Sequence, residues 1–216
     1  MMKKIIILGK SLKFINLIKK LYFNYEINIF SWRKLNKILH SKSSKKIRLI
    51  FICGYDYKSQ WYNYKKYYNT NITNPLEFIK KNSSKKTTII YIDTIDKIKS
   101  NSKFSSNKFI FSRYEFAKKM LRYELVKKYN KIKIIELAPV VDKNFNADIF
   151  GDKISKIIFD LLIKFKIIDH VGYKTLNKEF LEIDKLKKYK FKKPKSKMLN
   201  IPRPLFIDRC LRLITK

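Results

Sequence analysis

The sequence predicts an α/β fold, a doubly wound parallel sheet with helices on both faces. Three observations predict it. Short apolar runs alternate with helical patterns through about residue 140, an order typical of parallel strands joined by crossover helices. Glycine closes two of these runs, at Gly9 and Gly54. The chain of 216 residues, 45% of them hydrophobic, is long enough to bury a large core.

Three strands and two helices are predicted before residue 54. Ile5–Leu8 is an unbroken apolar run closed by Gly9, which indicates a buried strand. Apolar side chains then recur every three or four positions and predict a helix. Alternation over Glu26–Phe30 predicts a second strand. A short helix over Leu35–Leu39 and a buried strand over Arg48–Cys53 follow.

The alternation continues to about residue 140. Tyr55–Tyr68 is polar and aromatic and predicts loop and irregular helix. Asn74–Pro75 predicts a helix start, with Asn as the cap and Pro in the first turn. Strands are predicted over Thr87–Ile92 and Ile132–Leu137. Between them, helical spacing predicts a helix over Arg113–Tyr129.

The pattern changes after Pro139. Apolar residues from Ile154 to Phe165 form one helical stripe, and a lysine-rich tail follows. The sequence therefore predicts a sheet domain over residues 1–140. A small C-terminal lobe with a basic tail is predicted over residues 141–216.

The formal charge of +34 invites a nucleic-acid interpretation. However, the chain has 44 Lys but only 7 Arg, and it is rich in Ile and Asn. A coding bias toward AT-rich codons produces this mixture whatever the function, and Arg is the better phosphate ligand. A nucleic-acid partner is thus disfavoured. The aromatic–lysine stretch Trp61–Tyr68 is interpreted as a cap on the core or an oligomer interface, and Lys185–Lys197 as a solvated tail.

Several classes of protein are excluded by simple counts. No apolar run approaches the about 20 residues that a membrane crossing needs, so no transmembrane segment is predicted and we expect a cytoplasmic protein. Two cysteines, Cys53 and Cys210, cannot form a disulfide scaffold. His40 and His170 lack metal-ligand spacing, so no metal site is predicted.

Three side chains suggest acid–base chemistry. Tyr114 and Lys118 stand four positions apart and share one helical face. A lysine beside a tyrosine favours the phenolate and lowers the pKa of the phenol, which suits proton transfer near neutral pH. Thr94 follows the strand Thr87–Ile92, where its hydroxyl can bond a substrate oxygen opposite the tyrosine.

These residues, in this order, resemble the extended short-chain dehydrogenase/reductase family, the NAD-dependent epimerase/dehydratase-like enzymes. The resemblance runs through most of the chain. It is carried by a first strand and phosphate turn, a strand ending in small residues, an Asn after it, the end of the next strand, a Tyr/Lys helix, and a strand and turn: Ile5–Gly9, Leu49–Gly54, Asn71, Tyr91–Thr94, Tyr114–Lys118 and Glu136–Val141.

The resemblance implies a Rossmann-like, dinucleotide-binding domain over residues 1–140 and a substrate-binding lobe over 141–216. It implies an NAD(P)-dependent epimerase, dehydratase or reductase acting on a nucleotide-linked sugar, as in polysaccharide biosynthesis, and a homodimer is one expectation. A non-catalytic binding or regulatory protein of the same fold is the alternative. A basic nucleic-acid-binding protein is the second alternative.

The resemblance also implies site residues. Tyr114 is the expected proton donor or acceptor, Lys118 lowers its pKa and binds the nicotinamide ribose, and Thr94 orients the substrate oxygen. The cofactor is NAD or NADP, and Arg33 is placed to meet a 2′-phosphate. The full set of expected cofactor-binding residues is Gly9, Lys10, Ser11, Arg33, Gly54 and Lys118.

The phosphate turn departs from the family pattern of three glycines. Leu12 and Ile15 stand where the second and third glycines are expected. We predict that both side chains turn inward and pack the first helix on the sheet. Gly9 then stays open to a pyrophosphate at the helix N-terminus.

Overall fold

The structure is a computed structural model. It describes residues 3–38, 47–94, 113–137 and 140–141, together with positions 157, 160, 161, 164, 165, 171, 172, 190 and 193. The strands of the main sheet are β1 Lys4–Leu8, β2 Glu26–Phe30, β3 Ile47–Ile52, β4 Thr88–Thr94 and β5 Ile132–Leu137. The α-helices are α1 Leu12–Leu21, α2 Leu35–Ile38, α3 Tyr64–Tyr68, α4 Asn74–Asn82 and α5 Arg113–Lys128.

The five strands form one sheet in the order β2-β1-β3-β4-β5, and every pairing in it is parallel. The predicted doubly wound parallel fold is confirmed. The chain winds outward in one direction from β1 to β2 and in the other from β3 to β5. The direction reverses between β1 and β3, which makes the carboxyl ends of these two strands the topological switch point.

The sheet is buried on both faces, as the unbroken apolar runs predict. Ile5 and Ile7 of β1 pack with α1 on one face. Ile6 and Leu8, their immediate neighbours, pack with α2, α4 and α5 on the other face. Successive side chains of a strand point to opposite sides, so each side of β1 supports its own core cluster.

A third cluster joins the aromatic stretch to α5. Tyr67 is fully buried and packs with Ile72, Phe116 and Met120. The predicted role of this stretch as a cap on the core is confirmed for Tyr67. Trp61, at the other end of the stretch, is 67% exposed.

The α-helix α4 begins at Asn74 with Pro75 in its first turn, as predicted, but Asn74 is not its cap. Residues 64–82 form one continuous helical segment, in which a π-helical turn, Asn69–Thr73, joins α3 to α4. Asn74 has helical backbone angles, and its N–H donates to the carbonyl of Asn69, five residues back. The wider turn admits Pro75, which has no N–H to donate and would crowd an ordinary helical turn.

Most of the C-terminal region lies outside the described residues, including most of the basic tail. Of the helix predicted from Ile154 to Phe165, the described positions 157, 160, 161 and 164 are helical, and the Phe165 N–H donates to the Leu161 carbonyl at 2.9 Å. Val140–Val141 pairs in parallel with Val171–Gly172. The division at residue 140 stays a prediction. Within the residues that the structure describes, no helix is long and apolar enough to cross a membrane.

Candidate active site

Tyr114 and Lys118 lie together at the carboxyl edge of the sheet. Both are on α5, and each is only 7% exposed. The Lys118 Nζ donates to the carbonyl of Ile92 in β4, at 2.9 Å. In the other direction, the Tyr91 hydroxyl of β4 donates to the backbone carbonyl of Lys118, also at 2.9 Å. The first turns of α5 are thus fastened to the end of β4, and neither side chain points into bulk solvent.

Thr94 is the last residue of β4, two positions beyond Ile92, and it pairs with Leu137 of β5. The structure therefore brings Tyr114 and Lys118 to the strand end on which Thr94 lies. The Thr94 side chain is outside the described part of the structure, so the convergence of the three side chains stays a prediction.

Two further tyrosines surround Tyr114, and sequence reasoning missed both. The Tyr55 ring meets Tyr114 edge-on at 4.8 Å, and the Tyr57 ring stacks on it at 6.0 Å with a 12° tilt. Gln60 donates to the Tyr55 hydroxyl at 2.7 Å. Burial raises the pKa of Tyr55 well above its usual value, so it remains a neutral phenol. The one signal in the sequence for a role of these tyrosines is that they follow a predicted strand directly.

The Lys118 amine lies in an apolar, aromatic environment. Its Nζ is 5.1 Å from the centre of the Tyr91 ring. Burial lowers the pKa of Lys118, while the nearby Asp93 and Cys53 act in the opposite direction. Burial also raises the pKa of Cys53 to about 12, although Lys118 opposes it. Cys53 is therefore a neutral thiol, donating to the carbonyl of Leu8 at 3.4 Å, and is unsuited to act as a nucleophile.

Lys118→Met tests the cost of burying this amine. The folded chain holds the proton less tightly than the unfolded chain, so this lysine lowers stability at neutral pH, and the penalty disappears as pH rises to the ordinary value of 10.5. We expect the variant to gain most in unfolding free energy, relative to the natural chain, at neutral pH, and the gain to shrink toward pH 10.5. Denaturant unfolding measures both chains. Lys119→Met, which removes a lysine that pairs with Glu115, is the control and should bring no gain at neutral pH.

Asp93, beside Thr94, has its own partner. Arg122 lies one helical turn beyond Lys118 and bonds the Asp93 carboxylate at 2.8 Å. The same nitrogen bonds Glu136 of β5 at 2.8 Å. The bridge ties α5 to the ends of β4 and β5, and it holds the Asp93 carboxylate in place near Lys118.

The phosphate turn is only partly as predicted. Gly9 is buried and has a φ of +135°, which side-chain-bearing residues rarely adopt. Ile15 packs on the sheet at 6% exposure, as predicted. Leu12 does not: it is 71% exposed, because it opens the first turn of α1 and faces solvent. The Ser11 side chain makes no capping bond, and Lys10 is exposed.

Gly54, the second predicted cofactor glycine, packs against Gly9 and Trp32. A Cβ on Gly54 would lie 2.4 Å from Cε3 of the Trp32 indole and 3.1 Å from the Gly9 Cα. Trp32 follows β2 and is 5% exposed. The absence of a side chain at Gly54 is therefore explained by contacts within the protein.

Arg33 is bound to the protein rather than left free for a 2′-phosphate. Its Nε bonds the buried Asp56 carboxylate at 2.5 Å, while the side chain as a whole stays about half exposed (49%). The adjacent Trp32 donates from Nε1 to the Asn71 Oδ1 at 3.2 Å. Asn71 also accepts from the Asp56 N–H at 3.0 Å. Both residues after β2 are thus tied to the segment that follows β3.

One feature of this edge suits a dinucleotide, and another departs from the usual dinucleotide site. The turn at Gly9, with an uncapped helix start and Lys10 beside it, suits a phosphate group. Dinucleotide-binding folds carry an acid about 20 residues beyond this turn for the ribose hydroxyls. Here Phe30, Ser31 and Trp32 occupy that stretch, and the Trp32 indole fills the space beside Gly54. The stretch from 27 to 38 therefore carries no acid for the adenosine ribose.

A separate groove of about 600 Å³ lies on the outer side of the fold, between α4 and α5. Its lining includes Leu76, Glu77, Lys80, Glu124 and Tyr129. None of the predicted site residues lines it. Among the described residues, no cluster of three or more His, Cys, Asp or Glu side chains forms a metal-binding group.

Comparison with known proteins supports the fold. No protein-family model matches the chain. No curated protein matches it in sequence. The structure is similar to that of ADP-L-glycero-D-manno-heptose-6-epimerase from Helicobacter pylori, with a TM-score of 0.56 and 14% sequence identity. The match covers 82% of this chain and 71% of the epimerase. At this identity the likeness establishes a shared Rossmann-like fold.

Proposed function

We propose that the chain is an epimerase, dehydratase or reductase that acts on a nucleotide-linked sugar. The observation that carries the proposal is the placement of Tyr114 and Lys118. They are buried together where α5 meets the end of β4, the edge at which open α/β sheets bind ligands. The fold shared with a heptose epimerase supports the same class of substrate.

In the proposed reaction the Tyr114 hydroxyl exchanges a proton with a hydroxyl or carbonyl oxygen of the sugar. Tyr55 and Tyr57 hold its ring by edge and face contacts, which fixes the direction of the hydroxyl. Lys118 positions Tyr114 one helical turn away and supplies positive charge when protonated. Thr94 orients the same substrate oxygen. NAD or NADP supplies the hydride chemistry, because no side chain carries hydride.

A non-catalytic binding or regulatory protein of the same fold is the second candidate. The specific observation in its favour is the contact between Trp32 and Gly54, which puts a bulky side chain where the fold family places the adenosine. The replacement of two family glycines by Leu12 and Ile15 also favours this candidate. On this alternative the buried Tyr114 and Lys118 serve to fasten α5 to the sheet.

Turnover of nucleotide-linked sugars decides between the two candidates. The purified chain is incubated with a panel of nucleotide-linked hexoses and heptoses, with NAD or NADP present, and products are followed by proton NMR. We expect a new diastereomer or a dehydrated sugar from at least one substrate, and far slower conversion by Tyr114→Phe. A folded natural chain that converts nothing in the panel would favour the non-catalytic candidate.

A further inference from the structure

We infer that Trp32 occupies the adenosine position of this cleft, so that nucleotides bind here without their adenosine in the crevice. The inference concerns the cofactor of the proposed function, but it stands on packing alone and does not require turnover. On this inference Trp32 determines which part of a nucleotide can enter. The cleft accepts the phosphate end and excludes the adenosine end.

The position of Trp32 is the first argument. Open α/β sheets bind ligands at the topological switch point, outside the carboxyl ends of the strands. Here that point lies between β1 and β3, whose ends lead into Gly9 and Gly54. The backbones of the two glycines are in contact, and the Trp32 ring lies directly against Gly54. A flat aromatic side chain of the protein itself thus lies at this point, against the glycine that follows β3.

The anchoring of Trp32 is the second argument. The indole is 5% exposed and packs with Leu8, Leu35 and Ile52. Its N–H is bonded to the buried Asn71. The Asn71 amide also donates to Ser59 at 2.7 Å and to the Tyr67 carbonyl at 3.1 Å. All four bonding positions of the Asn71 side chain are therefore used.

Removing the ring therefore opens the crevice only at the cost of core packing. Departure of Trp32 from this site would break its bond to Asn71 and expose its apolar contacts, so a ligand gains little by displacing it.

The neighbouring Arg33 is the third argument. Sequence reasoning assigned it to a 2′-phosphate, but its Nε bonds Asp56, whose side chain is fully buried. A phosphate that bound Arg33 in place of Asp56 would leave this carboxylate buried without its cation, which costs free energy. Trp32 and Arg33 thus both oppose an adenosine ribose, Trp32 by its volume and Arg33 by its existing ion pair.

Comparing NADH with reduced nicotinamide mononucleotide, which lacks the adenosine half, tests the inference by equilibrium binding. We expect the natural chain to bind both equally or neither measurably. Trp32→Ala should bind NADH at least about tenfold more tightly than the mononucleotide. Trp61→Ala, which removes the exposed tryptophan, should behave as the natural chain. A tenfold preference for NADH in the natural chain, or no gain in Trp32→Ala, would overturn the inference.

A second measurement leaves Trp32 in place, in case Trp32→Ala does not fold. In Trp61→Phe the only tryptophan is Trp32. We expect its fluorescence to resist acrylamide quenching equally with and without millimolar ADP-ribose. Increased quenching on adding ADP-ribose would show that adenosine displaces the ring, and the inference would fail. Neither measurement depends on turnover, so failure of the proposed reaction leaves both interpretable.

Discussion

Tyr114→Phe is expected to lower kcat by about 10²–10⁴-fold, the usual contribution of a positioned proton donor or acceptor. The change removes one oxygen and leaves the ring in place between Tyr55 and Tyr57. The fold and the binding of substrate should therefore be retained. Steady-state kinetics on whichever nucleotide-linked sugar the natural chain converts gives the measurement, with KM nearly unchanged.

Tyr123→Phe is the matched control for this prediction. It makes the same chemical change on the same helix, nine residues further on and so on the opposite face. Its kcat should equal that of the natural chain. Equal losses in the two variants would show that tyrosine hydroxyls support α5 rather than the reaction, and an undiminished kcat in Tyr114→Phe would remove Tyr114 from the mechanism.

Gly9→Ala is expected to lower the free energy of unfolding by about 3 kcal/mol or more, from backbone strain and overpacking together. The residue has a φ of +135°, and an added Cβ would lie 2.9 Å from the Cys53 carbonyl carbon and from the Gly54 nitrogen. These are backbone atoms at the end of a central strand, so they cannot rotate away. Denaturant unfolding followed by circular dichroism measures the loss.

Gly54→Ala distinguishes backbone from side-chain crowding. Its Cβ would meet the Trp32 ring at 2.4 Å, and that ring is removable. Combining each glycine substitution with Trp32→Ala should therefore reduce the cost of Gly54→Ala and leave the cost of Gly9→Ala unchanged. Equal rescue of both would contradict the contacts described here.

The strands and the main helices could be predicted because their signals are local. Glu26–Phe30 and Ile132–Leu137 form strands with the bounds expected from their sequences. Helical spacing placed α5 within one residue of its observed end. The start of α4 at Asn74 was predictable as well, but Asn74 is not a cap, because the π-helical turn Asn69–Thr73 precedes it.

The candidate site was only partly predictable because its contacts join distant segments. Four-residue spacing was enough to place Tyr114 and Lys118 on one face. The bond between Arg33 and Asp56 links positions 23 apart, and that between Trp32 and Asn71 positions 39 apart. Hydrophobic periodicity in the sequence gives no sign of contacts between residues so far apart. Leu12 was mispredicted because no neighbouring segment covers it. An apolar residue at a helix start is buried only where another segment packs over it, and the sequence alone does not show whether one does.

The strand order has a consequence for synthesis on the ribosome. β1 is made first but receives β3, its second partner, only after about forty more residues have been added. Until then one side of a strongly apolar strand has no hydrogen-bonding partner. Each later pairing, of β4 on β3 and of β5 on β4, waits for a similar length of chain. Released chains that end before residue 47 should therefore expose β1 to self-association or to chaperones, whereas those that extend past β3 should do so less.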